Sequence, residues 1–144
     1  MDRRVFTIEA VNALVPKLAD VVGRQLERRS GIEQLLTRLG RELGDVPERI
    51  VLDPADPPEV RGMKRELVQR IEEYRAGWRV VEEMGAVLKD PRIGLLDFYG
   101  NVDGRLVWLC WKYGEAEVGW FHALEDGFSG RKPIAASIRQ RTLN

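Results

Sequence analysis

The sequence predicts an α+β domain: a long antiparallel helical hairpin packed on a three-stranded antiparallel β-meander, followed by a polar glycine-rich loop. Two observations carry this. Apolar residues recur at steps of three and four as far as about residue 90 and at steps of two beyond Pro91. Aromatic content changes at the same place, with three of the eleven aromatic residues in 1–90 and eight in 91–144. A chain of 144 residues suits one domain, so 1–144 is read as a single unit: hairpin 1–90, meander and loop 91–134, and a tail 135–144 of one or two helical turns.

The first helix opens at Thr7, a natural N-cap, with Phe6 placed to staple onto Val11. Val11, Leu14, Val15, Leu18, Val21, Val22 and Leu26 then follow a helical period, which resumes at Ile32, Leu35, Leu36, Leu39 and Leu43. Pro16 removes one N–H and crowds the preceding turn, so a kink or a restart is expected there. Gly44 is the expected C-cap. Residues 45–58 hold four prolines and read as the connector. From Pro58 the seam Val60, Met63, Leu67, Ile71, Tyr74, Trp78, Val81, Gly85 and Leu88 predicts a second long helix with coiled-coil-like packing. Such a pair can serve as a recognition arm or dimer surface, or simply bury its own seam as a scaffold. Glu66 with Arg70 and Glu72 with Arg75 mark the solvated face.

Strands are expected at 93–99, 106–113 and 117–124. Asp103-Gly104 turns the chain between the first two, and Gly114-Glu115-Ala116 forms the next loop. Alternation assigns Leu96, Phe98, Val107, Leu109, Trp111, Gly119, Phe121 and Ala123 to one apolar face, directed at the hairpin. The other face carries Leu95, Asp97, Tyr99, Trp108, Cys110, Lys112, Val118, Trp120, His122 and Leu124. With a two-residue first turn Asp97 falls opposite Cys110. With a three-residue second loop Cys110 falls opposite Trp120, and His122 opposite Trp108. Two tryptophans and a tyrosine mixed with a carboxylate, an amine, a thiol and an imidazole need a cover: the loop at 125–133, a second subunit or a ligand.

Composition mainly excludes. Lys plus Arg and Asp plus Glu are 23 each, and the two halves carry minus one and plus one, so no global field favours nucleic acid or an anionic membrane. Arginines outnumber lysines 18 to 5, yet acidic residues are interspersed throughout, and nucleic acid ranks last among partners. Cys110 and His122 are the only residues of their types, which excludes an intramolecular disulfide and an all-Cys zinc site. The N-terminus lacks an apolar core behind Arg3 and Arg4, and no run is long enough to span a bilayer. A cytoplasmic protein without a cofactor is expected.

Candidate ligand-binding residues are Asp97, Cys110, Lys112, His122 and Arg131. For a metal, His122 with Glu125 and Asp126 offers one nitrogen and two carboxylates within five residues. A Cys110–His122 nucleophilic pair requires the strands to set the two adjacent. Gly127-Phe128-Ser129-Gly130-Arg131-Lys132 has the ingredients of an anion nest, without P-loop order. Against these stand structural readings: His122 bonded locally, Asp97 paired with Lys112 or Arg131, Cys110 buried and inert, and the loop docking Phe128.

Phe6-Thr7-Ile8-Glu9-Ala10-Val11-Asn12-Ala13-Leu14-Val15-Pro16 resembles the start of the prokaryotic proteins grouped as domain of unknown function 2203. So do Gly94-Leu95-Leu96-Asp97-Phe98, Leu109-Cys110-Trp111-Lys112-Tyr113-Gly114-Glu115, Gly119-Trp120-Phe121-His122 and the segment from Gly127 to Ile134. The resemblance implies a small prokaryotic cytoplasmic protein and transfers no activity. It directs attention to Asp97, Cys110, Trp111, Glu115, His122, Gly127, Gly130 and Arg131. Two functions are therefore carried forward. The first is a non-enzymatic interaction or scaffold protein that forms a homo-oligomer, expected to be a dimer. The alternative is a small-ligand, anion or metal site, catalytic or not, on the face bearing Asp97 and His122.

Overall fold

The computed structural model describes residues 4–134, so the tail expected at 135–144 lies outside the described residues. Helix α1 runs unbroken from Ile8–Leu43. Thr7 is extended and its hydroxyl accepts the Ala10 N–H at 3.0 Å, which satisfies one of the free donors of the first turn. Gly44, with φ 88°, ends the helix in the left-handed conformation that glycine adopts without a Cβ penalty. Pro16 sits inside this helix and does not restart it. The helix survives because Val11, Val15, Leu18 and Val22 are buried on one side of it, each contributing about 1.5–3 kcal/mol.

Helix α2, Pro58–Glu83, starts with proline in its first turn, where the missing N–H has no helical partner to lose. It returns antiparallel to α1: Gln25 Nε2 donates to the Tyr74 carbonyl and Arg70 donates to the Gly31 carbonyl at 3.3 Å. The interface has two apolar parts. Near the sheet Trp78 and Val81 join Val15, Leu18 and Val22, and at the far end Leu35 and Leu39 pack on Val60, Met63 and Leu67. Between them lies buried Gln25, whose amide is seated against Gly77 where any Cβ would collide with it.

The seam expected to continue through Gly85 and Leu88 ends at Glu83. Gly85 takes φ 100°, and a Cβ there would strike the Phe6 ring, so the chain turns out of the helix. Leu88 then belongs to strand β1, Val87–Asp90. A three-or-four-residue step does not distinguish one more helical turn from the first strand residue. The sheet accordingly has five strands rather than three: β1, then β2 (Leu95–Val102), β3 (Arg105–Lys112), β4 (Trp120–His122) and β5 (Lys132–Pro133), in that order and all antiparallel. The fifth comes from the segment expected to be loop, whose Gly127–Gly130 part holds a short 3-10 turn, Phe128–Gly130.

Register follows the expectation across both inner pairings. Asp103 and Gly104 both have positive φ, as a type I′ hairpin demands, and Asp97 pairs with Cys110. Cys110 pairs with Trp120 and Trp108 with His122. Leu96, Phe98, Val107, Leu109 and Trp111 face the helices in the main core. Val118 departs from the expected face. The strand expected at 117–124 is only Trp120–His122, and Val118 lies in the core with its N–H donated to Asn12 Oδ1 at 2.7 Å. Among the described residues no helix is long and apolar enough to cross a membrane.

Candidate functional site

Three successive strands each place one polar side chain on the sheet face turned away from α1. Asp97 comes from β2, Cys110 from β3 and His122 from β4; the register pairs Cys110 with Asp97 and sets His122, opposite Trp108, diagonally across from it. One ligating atom from each lies within 4.8 Å of the others. All three are buried, Asp97 and His122 at 2% exposure and Cys110 at 0%.

The hydrogen bonds define the protonation pattern. His122 Nδ1 lies 3.0 Å from the Ala123 carbonyl oxygen, which only accepts, so Nδ1 carries a proton and donates it. His122 Nε2 lies 3.0 Å from Asp97 Oδ2, a contact that needs one further proton between the two atoms. Nε2 is left with no lone pair to offer elsewhere while that contact lasts. Asp97 Oδ1 is buried without a hydrogen-bond partner. Burial pushes the Asp97 carboxyl up from its ordinary range, against the opposing pull of His122, of the Lys89 charge and of a hydrogen bond with the Cys110 thiol. Burial, followed by the Asp97 charge, pushes the Cys110 thiol up to about 12.

Two aromatic–cation pairs flank the cluster. On one side Lys89 Nζ sits 4.5 Å from the Trp108 ring centre, and Trp108 stacks on Tyr99 at 4.1 Å. On the other, Arg131 lies over Trp120 at 4.4 Å and over Phe128 at 4.7 Å. Its guanidinium donates to Cys110 Sγ at 3.6 Å and to Glu115 Oε2. Glu115 is itself fixed by the Lys112 N–H, donated to Oε1 at 2.7 Å, and by the Trp111 indole N–H, donated to its carbonyl at 3.0 Å.

Of the residues expected from sequence, Asp97, Cys110 and His122 come together and Arg131 touches Cys110. Lys112 is half-buried at the edge, its ammonium 5.7 Å from the Phe128 ring. Glu125 and Asp126 are exposed and stand apart from the metal-capable group. Asp97 pairs with His122 rather than with Lys112 or Arg131. Both His122 nitrogens are engaged and the thiol is held protonated, so the cluster is not set up as a thiolate–imidazole nucleophile. The expected anion nest is occupied from within: Arg131 is committed to Glu115, and the Gly130 and Arg131 N–H groups donate to the Gly127 and Phe128 carbonyls. Glu115 and Lys89 are the neighbours that the candidate set omitted. Glu115 ends the segment Leu109-Cys110-Trp111-Lys112-Tyr113-Gly114-Glu115; Lys89 would have emerged only with Gly85 read as the end of the helix.

The fold and this cluster define a class: a small α+β domain whose sheet buries an oxygen, a sulfur and a nitrogen donor on three adjacent strands. The chain belongs to the family of uncharacterized conserved proteins DUF2203, which it matches over residues 4–134. No curated protein and no solved structure matches it.

Proposed function

We propose that this protein binds one divalent late transition-metal ion, zinc foremost, through Asp97, Cys110 and His122. The observation that carries the reading is the convergence of three different donor atoms within 4.8 Å in a buried setting. Thiolate and imidazole select zinc and its neighbours over magnesium or calcium, which prefer all-oxygen shells. The imidazole is arranged as a ligand requires: Nδ1 donates to a backbone carbonyl, which fixes the ring with Nε2 toward Asp97 and Cys110. Unpartnered Asp97 Oδ1 is a further oxygen that a cation would satisfy. Charge also balances. A divalent ion would replace the proton between Asp97 and His122 and the thiol proton of Cys110, so the buried site is neutral both with and without it.

Three protein donors leave a coordination position for water or a small ligand, the arrangement of reactive rather than purely structural zinc sites. Cobalt(II) added to the chelator-treated protein tests the reading. One equivalent should produce tetrahedral visible bands and a thiolate-to-cobalt charge-transfer band. Cys110→Ser should lose the charge-transfer band, and His122→Ala should lose saturable binding. A spectrum of hydrated cobalt at all ratios would reject the assignment.

A second reading, self-association into a dimer by a scaffold-type hairpin, is favoured by one observation. Leu43, Val46, Val51 and Leu52 are 43–62% exposed, all at the connector end of the helices. Light scattering of the purified protein distinguishes it: a dimer that Val46→Asp with Leu52→Asp converts to monomer supports it, and a monomer at high concentration rejects it. The free, buried Cys110 fits a reducing cytoplasmic setting for either reading.

A further inference from the structure

We infer that Arg131 and Glu115 form a latch that closes the Cys110 side of the cluster and controls entry to it. The inference rests on the metal-binding reading only for what passes the latch, not for the latch itself.

The two flanks of the cluster are held differently. Lys89 is carried by β1, at the bulge between Leu88 and Asp90, both of which pair with β2. Arg131 is carried by a segment between the 3-10 turn Phe128–Gly130 and the two-residue strand β5, anchored to β4 by two pairings. Its backbone is tied down just beyond by core-buried Ile134, whose N–H donates to the Gly119 carbonyl at 2.8 Å, and the Arg131 side chain reaches back over the cluster. Its guanidinium is gripped by the Glu115 carboxylate, lies between the Trp120 and Phe128 rings, and covers Cys110 Sγ at 3.6 Å. The two charged side chains retain only 12% and 20% exposure, so the pair is shielded from solvent more than a surface ion pair.

The chemistry of the contact also conflicts with occupancy. A guanidinium directed at Sγ stands where an incoming cation would approach the same sulfur, and two positive groups do not share that approach. Release of the Glu115 contact lets the guanidinium swing out, since its remaining contacts, the Trp120 and Phe128 rings and Cys110 Sγ, include no second ion pair. Because the closed contact and an occupied site exclude each other, the cost of opening both slows entry and weakens apparent affinity.

Alkylation of Cys110 by a small neutral thiol reagent, in the absence of metal, reads the latch directly. Arg131→Gln and Glu115→Gln should each accelerate alkylation of the folded protein by about ten- to a hundredfold, the range expected for losing one charge-assisted hydrogen bond. Gly77→Ala, far from the loop, serves as the control for global destabilisation. If the latch variants react no faster than wild type, or only as fast as a Gly77→Ala protein of equal stability, the latch is overturned. In a second arm zinc is transferred from a chromophoric chelator. Faster transfer into both latch variants, with apparent binding at least as tight as wild type, supports the inference, and unchanged transfer rates into the variants overturn it. Accelerated alkylation with no zinc taken up by any protein leaves the latch standing and rejects the metal reading instead.

Discussion

Asp97 Oδ2 and His122 Nε2 lie 3.0 Å apart although their strands, β2 and β4, do not pair with each other. Neighbouring strands are about 4.8 Å apart, so the two side chains close a gap of roughly 10 Å. They do so across β3 at Cys110, whose side chain is short enough to leave room above it. The pair is thus a product of three-strand register and of one small residue.

Removing one partner should be more damaging than removing both. His122→Ala strips buried Asp97 of its imidazole partner while Oδ1 is already unpaired, and a cost of about 3–5 kcal/mol is expected. A double Asp97→Leu/His122→Leu protein should be more stable than His122→Ala, because no buried charge is stranded. Urea unfolding in chelator checks this, and a double variant less stable than the single would contradict it.

Cys110→Leu should disrupt the same pair by overpacking, at a cost of about 1–3 kcal/mol, whereas Cys110→Ala is tolerated better. The imidazole proton resonances report it: the bonded Nε2 environment should change in Cys110→Leu and persist in Cys110→Ala.

Alkaline stability should depend on Cys110 in the metal-free protein. Its thiol sits up at about 12 when folded, against about 8.5 for an exposed thiol. Folding therefore favours the protonated form, and this contribution is complete below about pH 8.5 and lost as pH rises toward the folded value. Wild type should lose stability between about pH 9 and 11 more steeply than Cys110→Ala. Parallel profiles from urea midpoints would contradict the assignment.

In the hairpin, Gly77→Ala should destabilise by about 1–3 kcal/mol, since the new methyl would collide with the Gln25 amide. Adding Gln25→Ala should recover part of the loss, a coupling that additive effects would not give. Thermal unfolding of the four proteins of this cycle measures it.

Much of this arrangement was readable in the residues themselves. The change of period at about residue 90 separates hairpin from sheet, and Asp103-Gly104 fixes the register that sets Asp97 beside Cys110. The same alternation puts His122 on that face. What the pattern did not reveal depends on contacts distant in sequence. Gly85 ends α2 where the Phe6 ring fills the space of its missing Cβ, and this releases Val87–Asp90 as a strand. Val118 is drawn into the core by Asn12, 106 residues earlier. Glu125 and Asp126 looked like partners for His122 by proximity in sequence, but the turn after β4 leaves them exposed, while Asp97 reaches His122 from 25 residues away.

Anomalous scattering from crystals grown with zinc tests the central claim most directly. One peak per chain is expected, at about 2.3 Å from Cys110 Sγ and about 2.0–2.1 Å from His122 Nε2, with an Asp97 oxygen completing the protein ligands. A zinc-soaked crystal with Asp97 and His122 still hydrogen-bonded and no peak between them and Cys110 would contradict it.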